Sequence, residues 1–314
     1  MTNLTATRFV VMTFVSWLAA VAVCFLLIRL VPGDPVDVFI TQVNIQASEA
    51  LIDAYRAQWG LNESLPVQFG LWLHGFVTLD WGISFATGAP VSGELLQRLG
   101  WSAAIGFGGI IFALAFGSGL GFFTAITPGG FADHLSRAMA VAGQALPAFA
   151  VGVIALWVFA AELRWMQPFA GGTLERLVLP VALVTFFSVG SVSRLVRAGF
   201  AETVQAPYLK TALAKGLPFR SAVWRHGRRR AAIGLFAGIA PDLAWVVGGT
   251  AIAEIVFGIP GLSERAIQAV AARDYPVLQA YVGLVALWII LGLQACAALR
   301  RALDPRLADA ALAS

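Results

Sequence analysis

From Leu99 to Ala132 the chain runs for 34 residues without one Asp, Glu, Lys or Arg. A soluble domain has no use for such a run, because roughly 20 apolar residues already suffice for a helix to cross the hydrocarbon core of a bilayer. Further runs poor in charge cover Phe9 to Ile28, Ala138 to Ala161, Leu177 to Ser193, Ala231 to Ala253, broken by Asp242, and Tyr275 to Leu299. Composition agrees: only 12% of the 314 residues are charged and the mean hydropathy is +0.81, against about 25% charged in soluble chains. The pattern predicts an all-α membrane protein with six transmembrane helices. The longest run carries no polar turn at its middle, so it reads as one long helix ending near Thr127-Pro128-Gly129-Gly130. The first run has no small-residue cleavage site after it and reads as a retained first helix rather than a signal peptide.

Basic residues decide orientation. If the amino terminus is cytoplasmic and the spans alternate, fourteen of the 21 Lys and Arg fall on the cytoplasmic side, nine of them between Arg194 and Arg230. The positive-inside bias then places both termini in the cytoplasm. The same bias accounts for the net charge of +4, and Arg228, Arg229 and Arg230 read as topology determinants, not as a nucleic-acid site. Three segments follow: an N-terminal transmembrane helix over 1–30, an external loop over 31–98, and a five-helix core over 99–314 that includes a cytoplasmic loop at 200–230. Within the external loop, Glu49 to Gln58 has helical apolar spacing. Leu65 to Leu79 is apolar but too short to span, and is expected along the outer membrane face.

The cytoplasmic loop holds the sharpest local signal. Pro207 and Gly216 bracket Tyr208 to Lys215, about two turns of helix, with Gly216 suited to a left-handed C-cap. The run Tyr208, Leu209, Lys210, Thr211, Ala212, Leu213, Ala214, Lys215, Gly216, Leu217 resembles the "EAA" loop of ABC-importer permeases in its dipeptide, oligopeptide and nickel version. The resemblance extends along nearly the whole chain. It includes Arg29-Leu-Val-Pro-Gly-Asp-Pro35, Gln58-Trp-Gly-Leu-Asn62, Asp80-Trp-Gly-Ile-Ser-Phe85, Ala145-Leu-Pro147, Leu179-Pro180, the stretch from Gly248 to Leu262 around Glu254, and Arg273-Asp-Tyr-Pro276. The chain departs from the family at Leu99-Gly-Trp-Ser102, where Pro-x-Thr is expected, and at Ile233-Gly234, where Leu-Pro is usual.

The resemblance implies an inner-membrane permease in which this short helix docks on the ATPase. Ala212 and Ala214 would be close-packing positions and Gly216 the turn by which the chain leaves. It also implies the partners: two cytoplasmic ATPase subunits, a second related permease, an extracytoplasmic substrate-binding protein and the lipid bilayer, with no nucleic acid. The chain has no GxxxxGK[ST] run of its own, so energy has to come from a partner; it is expected to be no enzyme and to need no cofactor or metal. The segment Asp80 to Val91, the chain length and Arg273 to Gln279 look most like the B-type permease of nickel importers, so the expected cargo is nickel or a nickel chelate, with dipeptide or oligopeptide import as the alternative. Soft ligands are scarce and scattered: His74, His134, His226, Cys24 and Cys296 show no ligand spacing, which favours a chelate over a bare ion.

Single residues stay open at this stage. Asp242 reads as a helix cap after Pro241 or as a pathway residue, since a charge within a span is costly and often functional. Glu254 reads as an interface anchor near the outer end of a span rather than as a ligand. Gly248-Gly249 reads as a hinge or as a site of close helix packing.

Overall fold

The computed structural model describes residues 2–30, 33–43, 48–167, 169 and 172–303. They form α1 (Thr2–Leu30), α2 (Pro35–Val43), α3 (Glu49–Gln58), α4 (Leu65–Thr78), α5 (Val91–Ile126), α6 (Phe131–Ala145) and α7 (Ala148–Leu156), which runs into a π-helical turn, Trp157–Glu162. Then follow α8 (Thr173–Gln205), α9 (Pro207–Ala214), α10 (Phe219–Gly238), α11 (Ala240–Gly248), α12 (Ala251–Val256), α13 (Leu262–Ala272) and α14 (Tyr275–Leu303). Among the described residues β pairing is limited to one isolated bridge, Ile83 to Pro90. Val31 and Pro32 of the 29–35 motif and Arg306 of the basic tail lie outside the described residues.

Among the described residues four helices are long and apolar enough to cross a membrane: Val11–Leu30 within α1, and α5, α8 and α14. Six crossings result only if each of two bent pairs counts as one, α6 with α7 and its π turn, bent by 106°, and α10 with α11 and α12, bent by 53°. The bends have local causes. Pro147 has no N–H and pushes Leu146 out of the helical region, to φ −91°, ψ 133°, as the residue before a proline generally is. The second break falls at Ile239, two residues before Pro241. α5 ends at Ile126, ahead of a turn in which Gly129 has φ +77°, as the apolar run predicts. Its start is earlier than Leu99. Glu94 and Arg98 stay helical because they are paired: Arg98 reaches Glu94 at 3.2 Å and Glu264 at 2.8 Å, and Arg265 reaches Glu94 at 2.7 Å. α8 likewise continues twelve residues past Ser193, carrying Arg194 and Arg197 on the helix.

The chain packs as two units. One comprises residues 1–101 and 260–290, the other 102–259 and 291–314. In the first unit, Trp17 donates its indole N–H to the Gly283 carbonyl at 3.0 Å, and its ring meets Trp72 and Phe76. The turn at 82–91 is closed by Val91 N–H to the Gly82 carbonyl at 3.0 Å and Ser84 N–H to the Ala89 carbonyl at 2.9 Å. Fully buried Asp274 ties it down, accepting from Ser84 Oγ at 2.5 Å, Phe85 N–H at 3.0 Å and Arg265 Nη2 at 3.0 Å. Removing one member of a buried, hydrogen-bonded ion pair strands the other, at about 3–5 kcal/mol. Asp274→Ala is therefore expected to lower the thermal midpoint of the purified protein and to open the 82–91 turn to proteases, with unchanged cleavage as the contrary result.

In the second unit α8 packs against α10 and α6, and small residues set the distance. A Cβ at Gly199 would lie 2.5 Å from Ala231 Cα, and one at Gly190 would lie 2.6 Å from Ala140 Cα. This is how helices approach closely where lipid offers no hydrophobic drive between them. Val192, Val196, Phe200, Val223 and Ile239 fill the core beside these contacts. Glu254 is fully buried, accepting from Ser102 Oγ at 2.7 Å and Thr250 Oγ1 at 2.5 Å. The expected interface anchor is thus an internal tie. The two hydroxyl donors offset part of the cost of burying the acid.

Candidate functional site

α8 stops at Gln205 because Pro207 forces Ala206 into an extended conformation, φ −74°, ψ 138°,. Proline is tolerated at a first helical position, where its missing N–H has no intrahelical partner anyway, so α9 starts at Pro207, one residue before the expected Tyr208. It ends at Ala214 with Lys215 as its cap. Gly216 N–H then bonds the Leu213 carbonyl at 2.9 Å and Leu217 N–H the Ala212 carbonyl at 3.3 Å. Gly216 takes φ +86°, the left-handed region that glycine enters without steric cost. Pro218 follows, and α10 begins at Phe219.

The helix has two unlike faces. Leu209 and Ala212, only 3% and 6% exposed, point into the core formed with Phe200, Ala222 and Val223. Tyr208, Lys210, Thr211, Leu213, Ala214 and Lys215 are exposed. Of the two alanines expected as close-packing positions, Ala212 packs within this chain and Ala214 is open. Beside them, the Tyr208 ring lies 6.1 Å from that of exposed His226, and half-exposed Trp224 packs edge-on to Phe122 at 5.4 Å and stacked on Phe200 at 5.8 Å.

The long helices on either side of α9 are braced. Asp133, in the first turn of α6, is 2% exposed. It accepts from Gly129 N–H at 2.9 Å, Arg137 Nη2 at 2.7 Å and Arg197 Nη1 of α8 at 2.7 Å. Arg230 of α10 pairs with Glu202 of α8 at 2.5 Å, and Arg229 Nε donates to the Leu303 carbonyl at 2.8 Å. Several arginines of the expected topology signal thus also hold α8 in place. Asp133 was not singled out in the sequence, although its spacing of four from Arg137 on a helix was a readable hint. α9 thus joins two helices that are held by ion pairs and close glycine contacts.

A cavity of about 400 Å³ in the same unit is lined by Asp242, Ser188 and Thr250 among apolar residues. Asp242 lies in the first turn of α11, where a helix N-terminus favours a carboxylate, and it lines the cavity. α11 ends at Gly248 and α12 begins at Ala251, so Gly248-Gly249 coincides with a break in the helix. Among the described residues no group of three or more His, Cys, Asp or Glu side chains is placed to hold a metal ion.

Residues 117–309 match the family described as binding-protein-dependent transport system inner membrane component. The chain belongs to that family. This inner-membrane permease is also 30% identical to a probable peptide ABC transporter permease protein of Sinorhizobium fredii, over 86% of this chain and 88% of the relative. It is 31% identical to the glutathione transport system permease proteins of Pectobacterium atrosepticum, over 87% of this chain and 89% of the relative, and of Escherichia coli K12, over 85% and 86%. The permease is therefore an ABC-importer component that works with an ATPase and a substrate-binding protein. These relatives are named for peptide and glutathione, and the nickel expectation finds no support in them. Asp80 to Val91 builds the turn that Asp274 holds, so its residues answer to local folding before they answer to any cargo.

Proposed function

We propose that the permease moves short peptides or peptide-like thiols of the glutathione class across the inner membrane by alternating access. In this reading the exposed face of α9, within Tyr208 to Leu217, receives the push of two ATPase subunits. The observation that carries the coupling role is the two-faced helix itself: one side is welded into the α8–α10 core and the other is bare, at the end of two braced rods. A second, related permease completes the wall of the pathway, the external segment 31–98 faces the binding protein, and both termini are cytoplasmic. The two broken helices supply places where packing can switch between states a few kcal/mol apart. The peptide class rests on relatives named for peptide and glutathione transport that match along most of the chain.

Uptake by the complete importer decides the cargo. In a strain lacking its own systems, labelled dipeptide or glutathione is expected to accumulate only when this permease is present, while labelled nickel accumulates equally with and without it. Permease-dependent nickel accumulation without peptide uptake would replace the peptide reading.

A further inference from the structure

The cavity of about 400 Å³ in the second unit is walled by α5, α8, α11 and α12, and its volume suits a small molecule. Its walls are mostly apolar, Ile110 and Phe187 among them, and three side chains break the pattern: Asp242, Ser188 and Thr250. The Thr250 hydroxyl is committed, donating to Glu254 at 2.5 Å. Glu254, the other acid of this stretch, is fully buried and lies outside the lining.

Asp242 differs from Glu254. It is half-buried, and among the described residues no side chain forms an ion pair with its carboxylate and none donates a hydrogen bond to it. The described lining of the cavity holds no Lys, Arg or His. An acid in an apolar recess of a candidate span is costly unless a counter-charge meets it, and the N-terminus of α11 offsets only part of that cost. The chain supplies no counter-charge there, which points to a cation that comes and goes. The backbone agrees. The bent pair that carries Asp242 is interrupted at Ile239 and again at Gly248-Gly249, and Gly249 lines the same cavity. Interrupted helices at membrane depth are tolerated where they border a cavity.

The donor set decides which cation fits. A divalent ion such as calcium takes about six to eight oxygen ligands, whereas this recess offers one carboxylate and the Ser188 hydroxyl. A primary ammonium needs few acceptors, and apolar walls beside it accept side chains of many kinds. Dipeptides and glutathione each carry one such α-ammonium. We infer that Asp242 is the counter-ion for the α-ammonium of the cargo as it passes through this cavity, and that it favours peptides with a free amino terminus. The inference rests on the peptide reading above and deepens it to one end of the cargo.

The complete importer in proteoliposomes tests it in two ways. In uptake, Asp242→Asn, which keeps the shape and loses the charge, is expected to lower kcat for labelled dialanine about tenfold. KM, which reflects capture by the binding protein, should stay the same, and Asp242→Glu, which keeps the anion, should retain most of the wild-type rate. In chemical modification, a carbodiimide labels the Asp242 carboxyl of the wild type, read by mass spectrometry of the fragment that carries it. Dialanine at millimolar concentration should slow this labelling about threefold. Dialanine amide, which keeps the ammonium, should protect as well, and N-acetyl-dialanine, which lacks it, should not. Equal kcat in Asp242→Asn and the wild type would overturn the inference, as would equal losses in Asp242→Asn and Asp242→Glu or equal protection by dialanine and N-acetyl-dialanine. The labelling uses the wild type, so it decides even if Asp242→Asn fails to reach the membrane. A wild type that carries no dipeptide would overturn the cargo reading and this inference together, whereas dipeptide uptake without protection of Asp242 would overturn this inference alone.

Discussion

Ala214→Arg is expected to cut ATP-driven uptake by at least about a hundredfold while the permease still reaches the membrane in normal amount. The side chain at 214 is exposed on α9, so the chain itself has room for a guanidinium there. If that face seats in the ATPase, the same guanidinium becomes a buried charge without a partner, at roughly 3–5 kcal/mol, and each 1.4 kcal/mol is about tenfold in an equilibrium. The companion variant separates docking from folding. Ala212 is 6% exposed and lies in the core with Leu209 and Val223, so Ala212→Arg is expected to reduce the amount of permease in the membrane, whereas Ala214→Arg leaves it unchanged. Uptake assays paired with immunoblots of the membrane fraction read both outcomes. Normal uptake in Ala214→Arg would remove α9 from the coupling path.

Gly199→Leu is expected to lower the stability of the second unit sharply. A Cβ at this position would meet Ala231 Cα at 2.5 Å, Ala231 N at 2.8 Å and the Arg230 carbonyl carbon at 3.1 Å, all of them backbone. No rotamer change relieves such a clash, so α8 and α10 must part, at about 3 kcal/mol, and the core around Phe200 opens with them. Gly234, also on α10, is the control: the nearest heavy atom to a Cβ there is the Leu195 carbonyl oxygen at 3.8 Å. Gly234→Ala is expected to be neutral, or stabilising by about 0.5–1 kcal/mol through reduced freedom of the unfolded chain. Thermal unfolding of the three proteins in detergent orders them, and a Gly199→Leu midpoint equal to wild type would show that α8 and α10 are not held by close backbone contact. Because α9 is mounted on these two helices, Gly199→Leu should also uncouple transport in whatever fraction still folds.

Much of the layout was legible in the sequence, since its causes are local. Long runs without charge require helices in a bilayer, and α5, α8 and α14 follow from them. Pro207 and Gly216 punctuate the chain by their own backbone preferences, so α9 was placed to within one residue. α3 coincides with the amphipathic stretch Glu49 to Gln58. The helix ends were less legible wherever a charge continued a helix. Glu94 and Arg98 read as loop residues until Glu264 and Arg265, some 170 positions away, neutralise them.

How single residues are buried was decided by contacts distant in sequence. Whether Glu254 meets the membrane surface or the core depends on Ser102, and which alanine of α9 is free depends on how the helix rolls onto α10. Which glycines matter depends on what lies across from them, as Gly199 and Gly234 show. Local chemistry, meaning hydrophobicity, proline and glycine, determined that this protein is built of long apolar helices with a short helix between two of them. Only the tertiary structure decided which face of that short helix is bare, because burial belongs to pairs of surfaces and no single stretch of chain carries it.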